Sequence, residues 1–136
     1  MCAPAERERV APAGRARVLV VDDNALLRQL VCEALEDDGF AAAGAADVAT
    51  ALQQAAAAPL GVILLDLHLG AESGQAFVAR YRAQPGPHAP VILFTASSAR
   101  EAAAEVARLG AAGFLSKPFD LEQLVALVAG LAGSPN

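Results

Sequence analysis

The sequence predicts an α/β protein whose five parallel strands form one sheet, doubly wound with helices on both faces. Three observations carry that expectation. Short aliphatic runs alternate with helix-patterned segments five times, the order in which parallel strands and their crossover helices arise along a chain. The runs are apolar at successive positions rather than alternate ones, as strands covered on both faces require. A chain of 136 residues is also long enough to bury one core without disulfides or structural metal.

The elements follow in order. Strand β1 is "RVLVV" (17–21), and α1 (24–38) places Leu27, Leu30, Val31, Ala34 and Leu35 on one stripe before Gly39 stops it. Strand β2, "FAAAG" (40–44), has poor β propensity and is placed by position alone. Strands β3, "GVILLD" (61–66), β4, "PVILFT" (90–95), and β5, "AGFLS" (112–116), are separated by helices α2 (47–58), α3 (73–83) and α4 (98–109). Alanine fills both faces of these helices, but Asp47, Ser73 and Ser98 can cap their starts and Gly110 can end α4. Helix α5 (120–131) opens on Asp120 and Gln123, a candidate capping box, and carries Leu121, Leu124, Val125, Val128 and Leu131.

Composition removes several function classes. The hydrophobic fraction of 55% is high, yet polar breaks interrupt every apolar run well short of the roughly 18 residues of a membrane span. The N-terminus lacks the apolar core and cleavage site of a secretory signal, so a cytoplasmic location is expected. A net charge of -5 without clustered Lys and Arg argues against direct nucleic-acid binding. Cys2 and Cys32 make neither a disulfide framework nor a metal-ligand spacing and are expected to be reduced. Residues 1–15 read as a flexible arm, 16–131 as the domain, and 132–136 as a flexible tail.

In doubly wound sheets, sites form outside the carboxyl ends of the strands. Asp22 and Asp23 end β1, Asp66 ends β3, Thr95 ends β4, and Lys117 lies just past β5. Singly, the aspartates read as helix caps, Thr95 as a strand-end residue and Lys117 as a solvated loop residue. Their joint placement on one sheet edge is what those readings do not account for. Two like charges about 4 Å apart repel by roughly 4 kcal/mol at an effective dielectric near 20, so three crowded carboxylates call for positive charge. A hard divalent cation with oxygen ligands fits, Mg²⁺ in particular, since it keeps positions for water and phosphate oxygens. Asp66 then has the placement of a nucleophile that forms an aspartyl phosphate. Thr95 and Lys117 would offer a hydroxyl and an ammonium to the phosphoryl oxygens.

With "VVDDN", "ILLDLHLGAESG", "ILFTA" and "GFLSKPF" in this order, the chain resembles the receiver domain of two-component response regulators over about residues 16 to 131. The resemblance implies a flavodoxin-like (βα)5 fold with strand order 2-1-3-4-5. It implies Asp66 as phosphoacceptor, and Asp22, Asp23 and Asp66 as Mg²⁺ ligands together with the backbone carbonyl of His68. It implies Thr95 as the switch hydroxyl, Lys117 as the phosphate-pairing lysine and Phe114 as the switch aromatic. A histidine kinase or histidine phosphotransfer protein would donate the phosphoryl group. A downstream protein or a second copy would read the α4-β5-α5 face, and the domain would be a signalling module rather than an enzyme, promoting only its own phosphorylation and dephosphorylation. Leu69 and Gly70 stand where the family often has Met-Pro, while Gly74 matches a usual glycine. The imidazole of His68 reads as solvent-facing.

The alternative is a Mg²⁺-dependent phosphohydrolase acting through an aspartyl phosphate. Enzymes of that kind usually carry a second Asp two residues after the nucleophile, where this chain has His68. A flavin binder would need aromatics to sandwich its ring, and the chain has no Trp and one Tyr, Tyr81.

Overall fold

The computed structural model describes residues 16–69, 72–95, 98–117 and 120–132. The arm expected over 1–15 and the tail residues 133–136 lie outside the described residues, as do Cys2, Gly70, Ser97 and Pro118. Five strands, β1 (Arg17–Val21), β2 (Ala41–Ala45), β3 (Val62–Asp66), β4 (Val91–Thr95) and β5 (Gly113–Ser116), form one parallel sheet in the order β2-β1-β3-β4-β5. The helices are α1 (Ala25–Asp37), α2 (Val48–Ala57), α3 (Gly74–Ala83), α4 (Ala99–Leu109) and α5 (Leu121–Ala132). Helix α5 therefore runs one residue into the segment expected as tail. The sequence does not anticipate a two-residue antiparallel hairpin between β3 and α3, pairing His68–Leu69 with Glu72–Ser73.

The unbroken aliphatic runs follow from the two-sided core. Leu19, Val21, Ile63, Leu65, Val91 and Leu93 face the side packed by Val48 and Ala51 of α2 and by Phe77, Val78 and Tyr81 of α3. Their neighbours Val18, Val20, Val62, Leu64, Ile92 and Phe94 face the side packed by Val31, Cys32 and Leu35 of α1 and by Leu124 and Val128 of α5. Every residue of β1, β3 and β4 is buried, so burial on both faces outweighs amphipathic alternation there. Strand β2 forms despite four alanines and a glycine because its pairing with β1 and its cover by helices decide the matter, not propensity.

Helix ends follow the expected caps with exceptions. Asp47 accepts a hydrogen bond from Thr50 N–H at 2.7 Å, and Gly110 ends α4 in the left-handed region at φ 68°. Ser98 and Glu101 form a reciprocal capping box at α4, whereas at α5 Asp120 accepts from Glu122 N–H at 2.9 Å. Ser73 stands at the cap position of α3 without a side-chain hydrogen bond; its backbone belongs to the short hairpin. Cys32 is not a free thiol, contrary to the reduced state expected of it; helical periodicity places this residue on a buried face but carries no information on its oxidation state. No helix among the described residues is long and apolar enough to cross a membrane.

Candidate functional site

The site is built at the carboxyl edge of the sheet, where β1, β3, β4 and β5 end together. Asp22 follows β1 directly and is fully buried. Its N–H donates to Ala45 O at 3.1 Å, and its Oδ1 accepts from Asn24 N–H at 2.9 Å, turning the chain out of the strand. The cap of α1 is Asn24, whose side chain accepts from Leu27 N–H at 3.1 Å. The capping role that the sequence allowed for Asp22 or Asp23 is thus filled by another residue, and both carboxylates need a different account.

Asp66 is the last residue of β3 and is 5% exposed. Gly74 makes that end of the strand accessible to α3, because a Cβ at residue 74 would stand 2.8 Å from Asp66 O and 3.1 Å from Leu67 Cα. Gly74 N–H also donates to Leu67 O at 2.9 Å, so the helix start is pinned to the loop that leaves Asp66. Thr95 ends β4, fully buried. The backbone N–H of Lys117 donates to Thr95 O at 2.7 Å, which fixes the lysine at the same edge.

Lys117 closes the arrangement. Its Nζ donates to Asp22 Oδ2 at 3.1 Å and to Asp66 Oδ2 at 3.2 Å, joining residues 95 and 51 positions away in the chain. Burial alone would lower the pKa of this ammonium; the Asp22 and Asp66 carboxylates outweigh that penalty and hold it above its ordinary value. Asp23 is exposed. Carboxylate oxygens of Asp22, Asp23 and Asp66 all lie within 4.8 Å of one another. Opposed ligands of an octahedral Mg²⁺ stand about 4.2 Å apart, twice the metal–oxygen distance, so this spacing admits such an ion after small side-chain adjustments. The donor set is oxygen only, which suits Mg²⁺ or Ca²⁺ and not a metal that prefers nitrogen or sulfur.

Phe114 and Thr95 share one face of the sheet. Parallel register sets Phe114 opposite Leu93 and Ser116 opposite Thr95, and Leu93 and Phe114 both pack into the core layer under α2, α3 and α4. Phe114 is only partly buried, unlike Phe94, which is fully buried on the other face. His68 lies in the hairpin two residues beyond Asp66, paired with Ser73. The structure thus brings Asp22, Asp23, Asp66 and Lys117 into one cluster and puts Thr95 beside it, with Phe114 one strand over.

Residues 18–129 match the family model of the response regulator receiver domain. The chain belongs to that family. It is 34% identical over 113 residues to the phosphate regulon transcriptional regulatory protein PhoB of Escherichia coli, an alignment spanning 82% of this chain and 49% of that protein. It is 31% identical over 112 residues to a putative NtrX-like response regulator of Rickettsia bellii, covering 82% of this chain and 23% of the relative. This receiver domain therefore spans about half or less of the length of these curated relatives. Among solved structures it is similar to the chemotaxis response regulator CheY4 of Vibrio cholerae, with a TM-score of 0.78 and 34% identity, covering 86% of this chain and 98% of that one. A response regulator of Burkholderia pseudomallei, solved with a phosphorylated aspartic acid, a calcium ion and citrate, superposes with a TM-score of 0.73 at 30% identity, covering 88% of this chain and 68% of the other.

Two features of the site were not legible beforehand. One is Asn24 as the cap, one of three consecutive Asx residues among which only the end of β1 decides. The other is Arg28, whose guanidinium bonds Asp22 O.

Proposed function

We propose that this receiver domain takes a phosphoryl group from a histidine kinase or histidine phosphotransfer protein onto Asp66. The observation that carries the proposal is the Nζ of Lys117 within 3.2 Å of both Asp22 and Asp66, beside three carboxylates gathered in one cluster. An ammonium and an all-oxygen cation site around a strand-end carboxylate form an electrostatic cradle for a transferring phosphoryl group. The phosphorylated aspartate and calcium ion of the Burkholderia pseudomallei relative support it.

In the transfer, an Asp66 oxygen forms a bond to phosphorus while the phosphorus–nitrogen bond of the donor phosphohistidine breaks. The bonding pair leaves with the imidazole, which departs neutral when its other nitrogen already holds a proton. Asp22, Asp23, Asp66 and the backbone carbonyl of His68 would hold Mg²⁺, which when bound offsets the charge gathered on the phosphoryl oxygens. Lys117 would pair with one of those oxygens. The Thr95 hydroxyl would donate to another, and Phe114, on the same sheet face, would follow into the space Thr95 leaves. Repacking there alters β5, all of whose residues are partly exposed, so a partner protein or second copy would read the α4-β5-α5 face. On this reading the domain is a cytoplasmic signalling module, contacts neither membrane nor nucleic acid itself, and catalyses only its own phosphorylation and dephosphorylation. The family match over residues 18–129 does not favour the phosphohydrolase alternative.

Incubation with acetyl phosphate and Mg²⁺, followed by intact mass measurement, is the test. One hydroxylamine-labile phosphoryl adduct is expected on the native chain and none on Asp66→Ala. Stoichiometric labelling of Asp66→Ala would overturn the assignment, and sustained turnover of a generic phosphomonoester would favour the phosphohydrolase.

A further inference from the structure

We infer that Arg28 is a positioning residue for the acidic cluster, and that Gly44 is present to make room for it. The inference rests on the proposed cation site and extends it to two residues outside the cluster.

The carbonyl of Asp22 falls between two hydrogen-bond ladders. The paired register of β1 ends at Val21, its last bond to β2 running from Asp22 N–H to Ala45 O, and the first helical bond of α1 runs from Arg28 N–H to Asn24 O at 2.9 Å. Asp22 O belongs to neither ladder, and Arg28 Nη1 donates to it at 2.7 Å. Arg28 therefore closes the first turn of α1 with its backbone and reaches back past that turn with its side chain. Helical side chains tilt toward the helix N-terminus, which gives a long side chain this reach. With Ala45 O at its N–H and Asn24 N–H at Oδ1, Asp22 is held at main chain and side chain alike.

Gly44 explains how the arginine stem fits. A Cβ at residue 44 would stand 3.1 Å from Arg28 Cδ, 3.2 Å from Cγ and 3.4 Å from Nε. Strand β2 reads "AAAGA", so its one departure from alanine is where Arg28 crosses it.

Two effects of Arg28 on cation binding oppose each other. Its charge repels a cation, whereas its hydrogen bond holds the turn that carries Asp22 and Asp23. The side chain is only partly buried, so solvent screens the charge. Mg²⁺ in turn demands near-ideal ligand geometry, which makes positioning the larger effect.

The experiment titrates the full chain with Mg²⁺, followed by amide NMR at residues 22–24, and measures acetyl phosphate labelling across Mg²⁺ concentrations. Arg28→Gln should weaken Mg²⁺ binding by about tenfold, as loss of groups that orient metal ligands does. Its labelling rate should return toward the wild-type value at saturating Mg²⁺, because Asp66 sits on another strand; a merely structural lesion would lower the rate at every Mg²⁺ concentration. Gly44→Ala retains the arginine but crowds its stem, so it should weaken binding in the same direction, and the double variant should be no worse than Arg28→Gln alone. Unchanged or tighter Mg²⁺ binding in Arg28→Gln overturns the inference, as do additive effects in the double variant. Both results leave the phosphoacceptor assignment standing. Absence of Mg²⁺-dependent labelling in the native chain would overturn both.

Discussion

Gly74→Ala probes the contact on which the geometry of Asp66 depends. The added Cβ would lie 2.8 Å from Asp66 O, 3.1 Å from Leu67 Cα and 3.2 Å from Leu65 Cδ2, against an ordinary contact of 3.4–4 Å. The shortfall at the carbonyl is about 0.6 Å, and two of the three opposing atoms are backbone, so no rotamer change relieves it. Overpacking of this kind costs about 1–3 kcal/mol. The better helix propensity of alanine returns about 1 kcal/mol, leaving a net loss of about 0–2 kcal/mol, about 1 kcal/mol at the middle of the range. With a urea m-value of about 1–3 kcal/mol/M, a loss of about 1 kcal/mol should lower the unfolding midpoint by roughly 0.3–1 M. Gly130→Ala is the matched control, because nothing lies within 4 Å of a Cβ there; in α5 the same change should stabilise by about 0.5–1 kcal/mol. Since the strain falls on the carbonyl of Asp66 itself, acetyl phosphate labelling should slow in Gly74→Ala and stay at the native rate in Gly130→Ala. A Gly74→Ala chain as stable as the native one, with native labelling, would refute the close-approach reasoning.

Other expectations follow from the same geometry. Asp23→Asn should weaken Mg²⁺ binding without lowering metal-free stability, because it removes one of three like charges; a loss in melts both with and without Mg²⁺ would mean Asp23 supports the fold. The raised pKa of Lys117 implies a stability contribution fully present below the unfolded lysine value near 10.5 and lost as pH rises through the higher folded value. Urea midpoints of the native chain should therefore drop more steeply than those of Lys117→Met above that pH, and as Lys117 is the chain's only lysine, one ¹⁵Nζ resonance reports its titration directly. Thr95→Ala should still be labelled at Asp66 yet show smaller amide shifts over residues 98–116 on adding beryllofluoride; equal shifts in both proteins would make Thr95 and Phe114 structural only.

What the sequence disclosed depended on how strongly burial marks an element. Runs such as "RVLVV" and "VILLD" are legible because a strand buried on both faces can hardly contain anything else, and their ends then locate Asp22 and Asp66 to the residue. Strand β2 left no such mark, since its alanines suit a helix as well as a strand and only the rhythm of the chain placed it. The hairpin at His68–Leu69 and Glu72–Ser73 is two residues per strand, too short for any period to register. The caps depended on a choice among neighbours: three Asx residues stand in a row at 22–24, and which of them caps α1 is decided by where β1 stops, a tertiary matter. Arg28 was invisible for a similar reason, because its partner is a carbonyl, which every residue has.

The paired carboxylates at the end of β1 make sense only when the charges are counted across strands. Lys117 offsets one of the three negative charges of Asp22, Asp23 and Asp66, bridging the two buried carboxylates while Asp23 stands exposed. A phosphoryl group on Asp66 would replace that carboxylate's single charge with about two, a net gain of about one negative charge, and compete for the same ammonium. Lys117 cannot remain shared between Asp22 and Asp66 and also pair fully with a phosphoryl oxygen, so the phosphorylated state requires another cation near Asp22. The buried position of Asp22, clamped through its N–H, carbonyl and Oδ1, would keep that carboxylate in place if the lysine turned toward a phosphoryl group. On the proposed reading the fold's stability is separated from its switch: aliphatic strand bodies hold the sheet, and the unbalanced charge is confined to an edge where a cation and a phosphoryl group would trade places with an ion pair.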